Sequence, residues 1–378
     1  MKTGVSNQRA ERGSAHSRFV SLPRRIYAGD PLWIPPLWVE ERATFRARSN
    51  PILADSDFAL FLARDAGTDV GRIAAYVDHA WDRHFGQGTG FFGSFESVND
   101  PRVSSSLLRA AEQWLEGRGV REVIGPINPV SQYWGCLCEG FGTPPSFMTA
   151  HNPPQYNAFF MRSGYTKVKD LVSYEVDTGA GYTLPERFTA FAERLTRLHP
   201  ELTVRPVDMA RLDRDAEAIW RITNESLDGN WGYYPVGREI MLDLVKRLRP
   251  IVDPAAIWFV EDRGVPVGYA LAHRDINVVL RRTGGRLLPF GFVRMLREIP
   301  SIRRYRLIAL GVLPKYHNRG LDVLLYVSLH RALTPGGPLQ MDANWILEDN
   351  AAMRNAVEKL GFARAKTYRI YRKELAGS

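Results

Sequence analysis

The chain has 378 residues and a net charge of +9, from 50 Lys and Arg against 41 Asp and Glu. That length suits two domains, each able to bury a core, and the charge invites an anionic partner: nucleic acid, a membrane surface or a phosphorylated co-substrate. No apolar run approaches the ~20 residues of a membrane span. The only cysteines, Cys136 and Cys138, point to opposite sides of an extended chain and pair poorly. Four-ligand zinc spacing is absent, so no metal is expected, and a reducing cytoplasm is the natural compartment.

In chain order, the start MKTGVSNQRAERGSAHSR has charge but no apolar core; it is no secretory signal and reads as a frayed tail. Comparing the chain with itself exposes a repeat. At an offset of 197, as between Asp65 and Asp262, the pairs Gly67/Gly264, Val70/Val267, Gly71/Gly268, Ala75/Ala272 and Asp78/Asp275 coincide. Both stretches read as hairpins, and Gly164/Gly361, Lys169/Lys366 and Tyr174/Tyr371 keep the same offset. Between them the offset is 216, aligning Leu107 with Val323 and Asn128 with Asn344. The expected domains are therefore 1–177 and 201–378, with 178–200 a linker and a bridging helix. Alternating strands and helices give an α/β class.

Each copy has an insertion. The first, from Gly125 to Asn157, is rich in Gly, Pro and aromatic residues, and a loop that long tends to carry function. It contains His151. The second, from Arg281 to Arg306, holds eight arginines and one acid, Glu298, among Leu287, Leu288, Phe290, Phe292, Val293 and Leu296. Basic charge interleaved with large apolar side chains suits a segment lying in an anionic membrane interface; the alternative is a surface hairpin packing its apolar side on its own domain. No spaced aromatic platform for single-stranded nucleic acid is present, so nucleic acid is not expected.

The second copy then shows its most informative stretch. A strand through Leu310, Gly311 and Val312 ends at Pro314 and a basic turn, Lys315 to Gly320. A helix follows with Leu321, Leu324, Leu325 and Leu329 on one stripe. Free N–H groups at such a helix start face anions, and Gly320 lets backbone approach a phosphate. The first copy has Val103-Ser104 in place of Arg319-Gly320, with Glu96 and Asp100 nearby, which disfavours a phosphate there.

The order V-x-P, basic turn, G-x-x-x-L-L, then WILEDN and EKLGF resembles the acyl-CoA-binding half of the GNAT acyltransferases. DPLWIPPL (Asp30 to Leu37), GPINP, HNPP-Y and KTYRIY extend the match over nearly the whole chain. They resemble the tandem GNAT-fold proteins that include the bacterial ceramide synthases, which join a fatty acyl group to a sphingoid base. The resemblance implies two GNAT-like domains, each a mixed, mostly antiparallel sheet flanked by helices, with acyl-CoA as co-substrate. It implies CoA contacts from Leu310, Gly311, Val312, His317, Asn318, Arg319, Gly320, Leu321, Asp322 and Asn350. The sequence departs from the superfamily at His317 and Asp322 in the turn and at Val357, where a general-acid tyrosine is common. Residues 130–138, VSQYWGCLC, depart from the narrower group.

Acyl transfer to an amine needs an oxyanion donor, for which the resemblance implies an N–H near Leu310 to Val312, and a proton acceptor. Candidates for the base are His151, Glu348, Asp342 and Glu139. His151 ranks first because its intrinsic pKa lies nearest neutrality. Asp342 shares a strand face with Asn344, and Glu348 has the rival task of favouring the next helix start. The expected activity is acyl-CoA-dependent N-acylation of a long-chain amine, by a cytoplasmic protein peripherally associated with a membrane. The rival expectations are acetylation of a small soluble amine, a non-catalytic GNAT-fold binding protein and, more distantly, RNA-dependent aminoacyl transfer.

Overall fold

The computed structural model describes residues 4–130, 133–249 and 252–375. It divides into two compact units: residues 1–171, 277–295 and 366–378, and residues 172–276 and 296–365. Strands of the first copy are β1 (Ser6–Arg9), β2 (Ser56–Asp65), β3 (Thr68–Asp78), β4 (Thr89–Ser97), β5 (Glu122–Gly125), β6 (Cys136–Glu139) and β7 (Thr166–Asp177). Those of the second are β8 (Leu202–Pro206), β9 (Ile257–Asp262), β10 (Val265–Arg274), β11 (Arg304–Val312), β12 (Gln340–Leu347) and β13 (Ala363–Glu374).

The duplication is visible in the element bounds. The terminal strands β7 and β13 start and end 197 residues apart (166 and 363, 177 and 374), and β3 and β10 start at the same offset (68 and 265). Within the first unit the sheet order is β1-β2-β3-β4-β5-β13; within the second it is β7-β12-β11-β10-β9-β8. The pairs β4–β5 and β11–β12 are parallel, whereas the hairpins β2–β3 and β9–β10 are antiparallel. This is the mixed, mostly antiparallel α/β architecture expected.

Three segments cross the linear division at 177 and 201: residues 172–177, 277–295 and the C-terminal strand. Arg372 and Lys373 of β13 pair with Ile124 and Val123 of β5, so the chain's last strand completes the sheet of the first unit. Val172 onward belongs to the second unit, as does the helix Glu186–Leu198, which buries Ala192 there. The start of the chain corrects the frayed-tail expectation. Ser6 to Arg9 pair with Arg64 to Phe61, and the helix Gly13–Ser21 buries Ala15, Phe19 and Val20. SNQR exposes all four side chains; backbone pairing and polar contacts such as Asn7 Nδ2 to Ser106 hold that edge strand, and composition gives no apolar signal for it.

The main helices form for legible reasons. Asp100 caps Pro101–Glu116 by accepting from the Arg102 amide at 2.8 Å, with Pro101 at the first helical position. Val103, Leu107, Ala111 and Leu115 fall on one stripe and are buried in the first unit's core. The helix Leu321–Leu333 is apolar on more than one side and buries Leu321, Leu324, Leu325, Val327 and Leu329. Each such side chain contributes about 1.5–3 kcal/mol.

Candidate active site

In the second unit, β11 and β12 pair in parallel from Arg304↔Gln340 to Leu307↔Ala343, and the register stops there. Ile308 to Val312 run on beside β10 alone, after a bulge at Leu271/Ala272. Among the described strands, beyond Leu307 one edge of β11 faces the opened gap, and on the other Leu310, Gly311 and Val312 pair with β10. Gly311 is needed on the other side: a Cβ there would meet Ser226 Oγ at 2.8 Å and Tyr269 at 3.1 Å.

The turn after β11 aims backbone amides. Asn318 and Gly320 take left-handed φ values of +59° and +76°, and Gly320 is the N-cap residue of the helix Leu321–Leu333. Such a turn followed by a helix start concentrates N–H groups toward an anion. Gly320 is required twice, since a Cβ would also sit 2.4 Å from the Phe191 ring. Lys315 Nζ and the Arg319 guanidinium lie 4.9 and 5.5 Å from the Tyr316 ring centroid, and the Tyr316 hydroxyl donates to Asp262 at 2.6 Å. The basic turn therefore stands on an anchored ring. His317 folds back, its Nε2 lying 2.8 Å from the Val312 carbonyl, so this departure from the superfamily pattern braces the end of β11. At Asp322, burial raises the carboxyl above its usual range, partly opposed by the Asp322 and Val323 amides. Asn350 caps Ala351–Lys359 by accepting from the Met353 amide at 3.0 Å. Val357 is fully buried in the core.

Asp342 and Asn344 do share one face of β12: Asn344 donates to Asp342 Oδ2 at 2.6 Å, and Arg306 Nε donates to Asn344 Oδ1. Asp342 is 2% exposed, opposite Arg306 on the paired part of the strand. It belongs to a closed polar cluster, a poor setting for a base that must meet substrate. His273, beside Arg306, has its pKa pushed down to about 4, by burial first and by Arg306 as well. Glu348 lies just past β12, half-buried, with its carbonyl accepting from Arg354 at 2.8 Å.

His151 lies in the first unit and is mostly buried there, with 10% of its side chain exposed. Its Nε2 meets Asp30 Oδ2 at 2.7 Å, and Asp30 Oδ1 accepts from the Leu32 amide at 2.8 Å. Burial pushes the Asp30 carboxyl up, but the His151 and Leu32 hydrogen bonds outweigh it and leave it below its usual value. With Nε2 committed, Nδ1 is the nitrogen left to take a proton. This carboxylate–imidazole pair joins the two segments DPLWIPPL and HNPP, 121 residues apart.

His151 lines a cavity of about 140 Å³ together with Arg72, Glu96, Asn128 and Tyr156. Glu96 Oε2 accepts from the Tyr27 hydroxyl at 2.7 Å and lies 3.0 Å from the Tyr156 hydroxyl. Sequence reasoning noticed Glu96 only as an obstacle to phosphate and passed over Tyr27, Asp30 and Arg72; the usable signal was an acid within a long motif, Asp30 in DPLWIPPL. Glu139, the fourth candidate base, accepts from Thr367 at 2.6 Å. The departing stretch 130–138 includes residues 131 and 132, which lie outside the described residues.

The first copy's strand gap is closed by its own chain. Ile127 N donates to Phe92 O at 2.7 Å, and Asn128 Oδ1 accepts from the Ser94 amide at 2.6 Å. A pantetheine arm would find that edge taken, in contrast to Ile308–Val312 of the second copy.

The insertion divides by structure. Arg303 donates to the Gly337 carbonyl, Arg304 pairs with Asp275 at 3.2 Å, and Arg306 is buried, so three of the eight arginines serve the second unit's interior. The rest is mostly surface. Leu288, Phe290, Phe292, Val293 and Leu296 are 80, 77, 54, 45 and 52% exposed, with Arg281, Arg286 and Arg297 also exposed. Met295 is buried. Among the described residues no helix is long and apolar enough to cross a membrane, and no group of potential metal ligands gathers.

No family model matches the chain. Individual proteins do. It is 33% identical over 370 residues to a protein named bacterial ceramide synthase from Caulobacter vibrioides, covering 95% of this chain and 94% of that one. Over 364 residues it is 30% identical to protein YghO of Escherichia coli, covering 94 and 92%. Among solved structures, a tandem GNAT protein from the clavulanic acid biosynthesis pathway superposes with a TM-score of 0.59 at 12% identity, covering 99% of both chains. A glucosamine N-acetyltransferase region of a fungal multi-domain β-N-acetylglucosaminidase gives 0.59 at 11% identity, covering 99% of this chain and 38% of that one. These two structures fix the fold.

Proposed function

The chain belongs to the bacterial ceramide synthase family and is an acyl-CoA-dependent N-acyltransferase, and from that premise we propose that its acceptor is a sphingoid long-chain base. The observation that carries the donor side is the second unit's open strand edge, Ile308–Val312, running straight into the left-handed turn at Asn318 and Gly320. In this reading the thioester arm lies along that edge and the pyrophosphate rests on the amides that open Leu321–Leu333. Lys315 and Arg319 add attraction, and Asn350 offers its side-chain amide. An N–H of the Leu310–Val312 edge steadies the oxyanion.

The amine attacks the thioester carbonyl as the free base, the carbon–sulfur bond breaks, and CoA leaves as thiolate. A primary amine with pKa near ~10.4 is protonated at neutral pH and must lose a proton. We assign that proton to His151, oriented by Asp30, and solvent reprotonates the thiolate. No acid at the Val357 position is needed, because a thiolate is a stable leaving group.

The acceptor's lipid character is supported by the exposed strip Leu288 to Leu296. Its segment, which begins at Asn277, also braces the first unit's cavity: Asn277 donates to the Pro145 carbonyl at 2.9 Å. Each arginine near an anionic leaflet contributes ~1 kcal/mol, and Leu288, Phe290 and Phe292 add apolar insertion. Reversible peripheral docking on the cytoplasmic leaflet follows.

The test pairs palmitoyl-CoA or acetyl-CoA with sphinganine or a polyamine and measures free thiol and acylated amine. Turnover with palmitoyl-CoA and sphinganine supports the reading. Turnover confined to acetyl-CoA and polyamine would replace it with small-amine acetylation, and CoA binding without turnover of any pair would make the chain a binding protein.

A further inference from the structure

The first unit's cavity contains more chemistry than a base requires. Among the described residues Arg72 is its only lining arginine or lysine, and it is already engaged. Its Nη1 donates to the Phe19 carbonyl at 3.0 Å, and its Nη2 lies 3.2 Å from Glu41 but 4.0 Å from Glu96. Among the described residues Glu96 is thus left with two neutral hydroxyls on Oε2 and no hydrogen bond to Oε1. Asp30 is hydrogen-bonded to His151 at 2.7 Å. Two carboxylates, Glu41 and Glu96, share one guanidinium that lies nearer Glu41, so an ionised Glu96 has no lining cation of its own among the described residues. An anion would find no unengaged cation here, whereas a cation would complete the set.

We propose that this cavity receives the ammonium end of the acceptor, with Glu96 as its counter-ion and the Asp30–His151 pair beside it to accept the proton. The size is appropriate. Where ~10–15 Å³ suffices to seat one water, about 140 Å³ seats an amino-alcohol head but not a long chain. The rim of Trp33, Ile34, Pro36 and Met148 is apolar and suits the first methylenes. Glu96 is a positioning and recognition residue; His151 remains the one that moves the proton. With no cation bound, burial drives the Glu96 carboxyl up to about 7, against the opposing pull of Arg72, Tyr27 and Tyr156 and with Glu41 adding to the rise. Cys136, His151 and Tyr133 also line the cavity, and burial pushes the Cys136 thiol well up. A bound ammonium favours the ionised form, so amine affinity should increase as pH rises through about 7.

The proposal rests on the acyltransferase reading only for which amine is the substrate. The direct test omits the acyl donor. Full-length protein is titrated by calorimetry with a water-soluble short-chain 2-amino-1,3-diol and with its neutral N-acetyl derivative, for the natural sequence and for Glu96→Gln. Gln keeps an acceptor for Tyr27 and Tyr156, and a thermal melt verifies folding. Removing a charge-assisted hydrogen bond predicts at least roughly tenfold weaker amine binding in Glu96→Gln and loss of the preference for amine over N-acetyl derivative. Equal amine affinity in the two proteins, or no preference in the natural one, overturns the proposal. The two readings fail separately. Charge-dependent binding without acylation of any amine sinks only the proposed function; acylation with an amine KM unchanged by Glu96→Gln sinks only the cavity.

Discussion

Gly320→Ala tests the proposal that the turn before Leu321–Leu333 holds the pyrophosphate. At φ +76° an alanine costs roughly 1–2 kcal/mol, and its Cβ would lie 2.4 Å from a ring carbon of Phe191. Phe191 is 43% exposed, so its ring can swing aside; the backbone strain has no such relief. The turn either keeps its geometry at that cost or relaxes and pulls the amides before Leu321–Leu333 out of line. Every charge-assisted hydrogen bond from an amide to the phosphate that breaks in this way weakens anion binding by ~1.5–3 kcal/mol, or about ten- to a hundredfold in affinity. Steady-state kinetics on palmitoyl-CoA with sphinganine, together with CoA titration, should show an acyl-CoA constant raised by at least about tenfold and an amine KM nearly unmoved. Gly320→Ala combined with Phe191→Ala should not restore it, because removing the ring leaves φ strained. An acyl-CoA constant equal to that of the natural protein, in a variant whose melting point has fallen, would refute the assignment of the pyrophosphate to this turn.

Other substitutions separate the remaining roles. His151→Ala should lower turnover by about 10²–10⁴ while CoA affinity stays as it was, and Asp30→Asn should move the pH profile of kcat as well as its height. Replacing Leu288 and Phe290 together by Asp should abolish sedimentation with anionic vesicles yet leave acylation of a short, soluble amino-diol intact. His273 supplies a stability test. Its folded pKa of about 4 lies below the ordinary 6.5, so the unfolded chain binds the proton first. The penalty is absent above pH ~6.5 and grows as pH falls toward 4, by an order of 2–3 kcal/mol if the ring stays buried. Chemical denaturation at pH 7 and pH 5 should show the natural protein losing more stability than His273→Gln.

Much of this was legible in the chain. The 197-residue repeat returned as strand bounds, because a duplicated hairpin keeps its glycine turns and its apolar alternation. The basic turn with Gly320 could be read because a left-handed residue at a helix start leaves glycine as the cheap choice. Asp342 and Asn344 shared a face as two-residue strand spacing demands, but the sequence could not say that Arg306 lies opposite and seals them inside. The edge strand Ser6–Arg9 was invisible, since four exposed polar side chains show no apolar alternation.

Sequence by itself determined the fold class, the duplication and which copy has a glycine turn opening its helix, because these depend on local periodicity and on glycine at fixed places. Only tertiary structure decided that Asp30 meets His151, that Glu96 lines a cavity whose one guanidinium lies nearer Glu41, and that five large apolar side chains in the insertion stay exposed. Those facts depend on segments far apart in the chain being folded onto one another, and no local pattern encodes the distance between them.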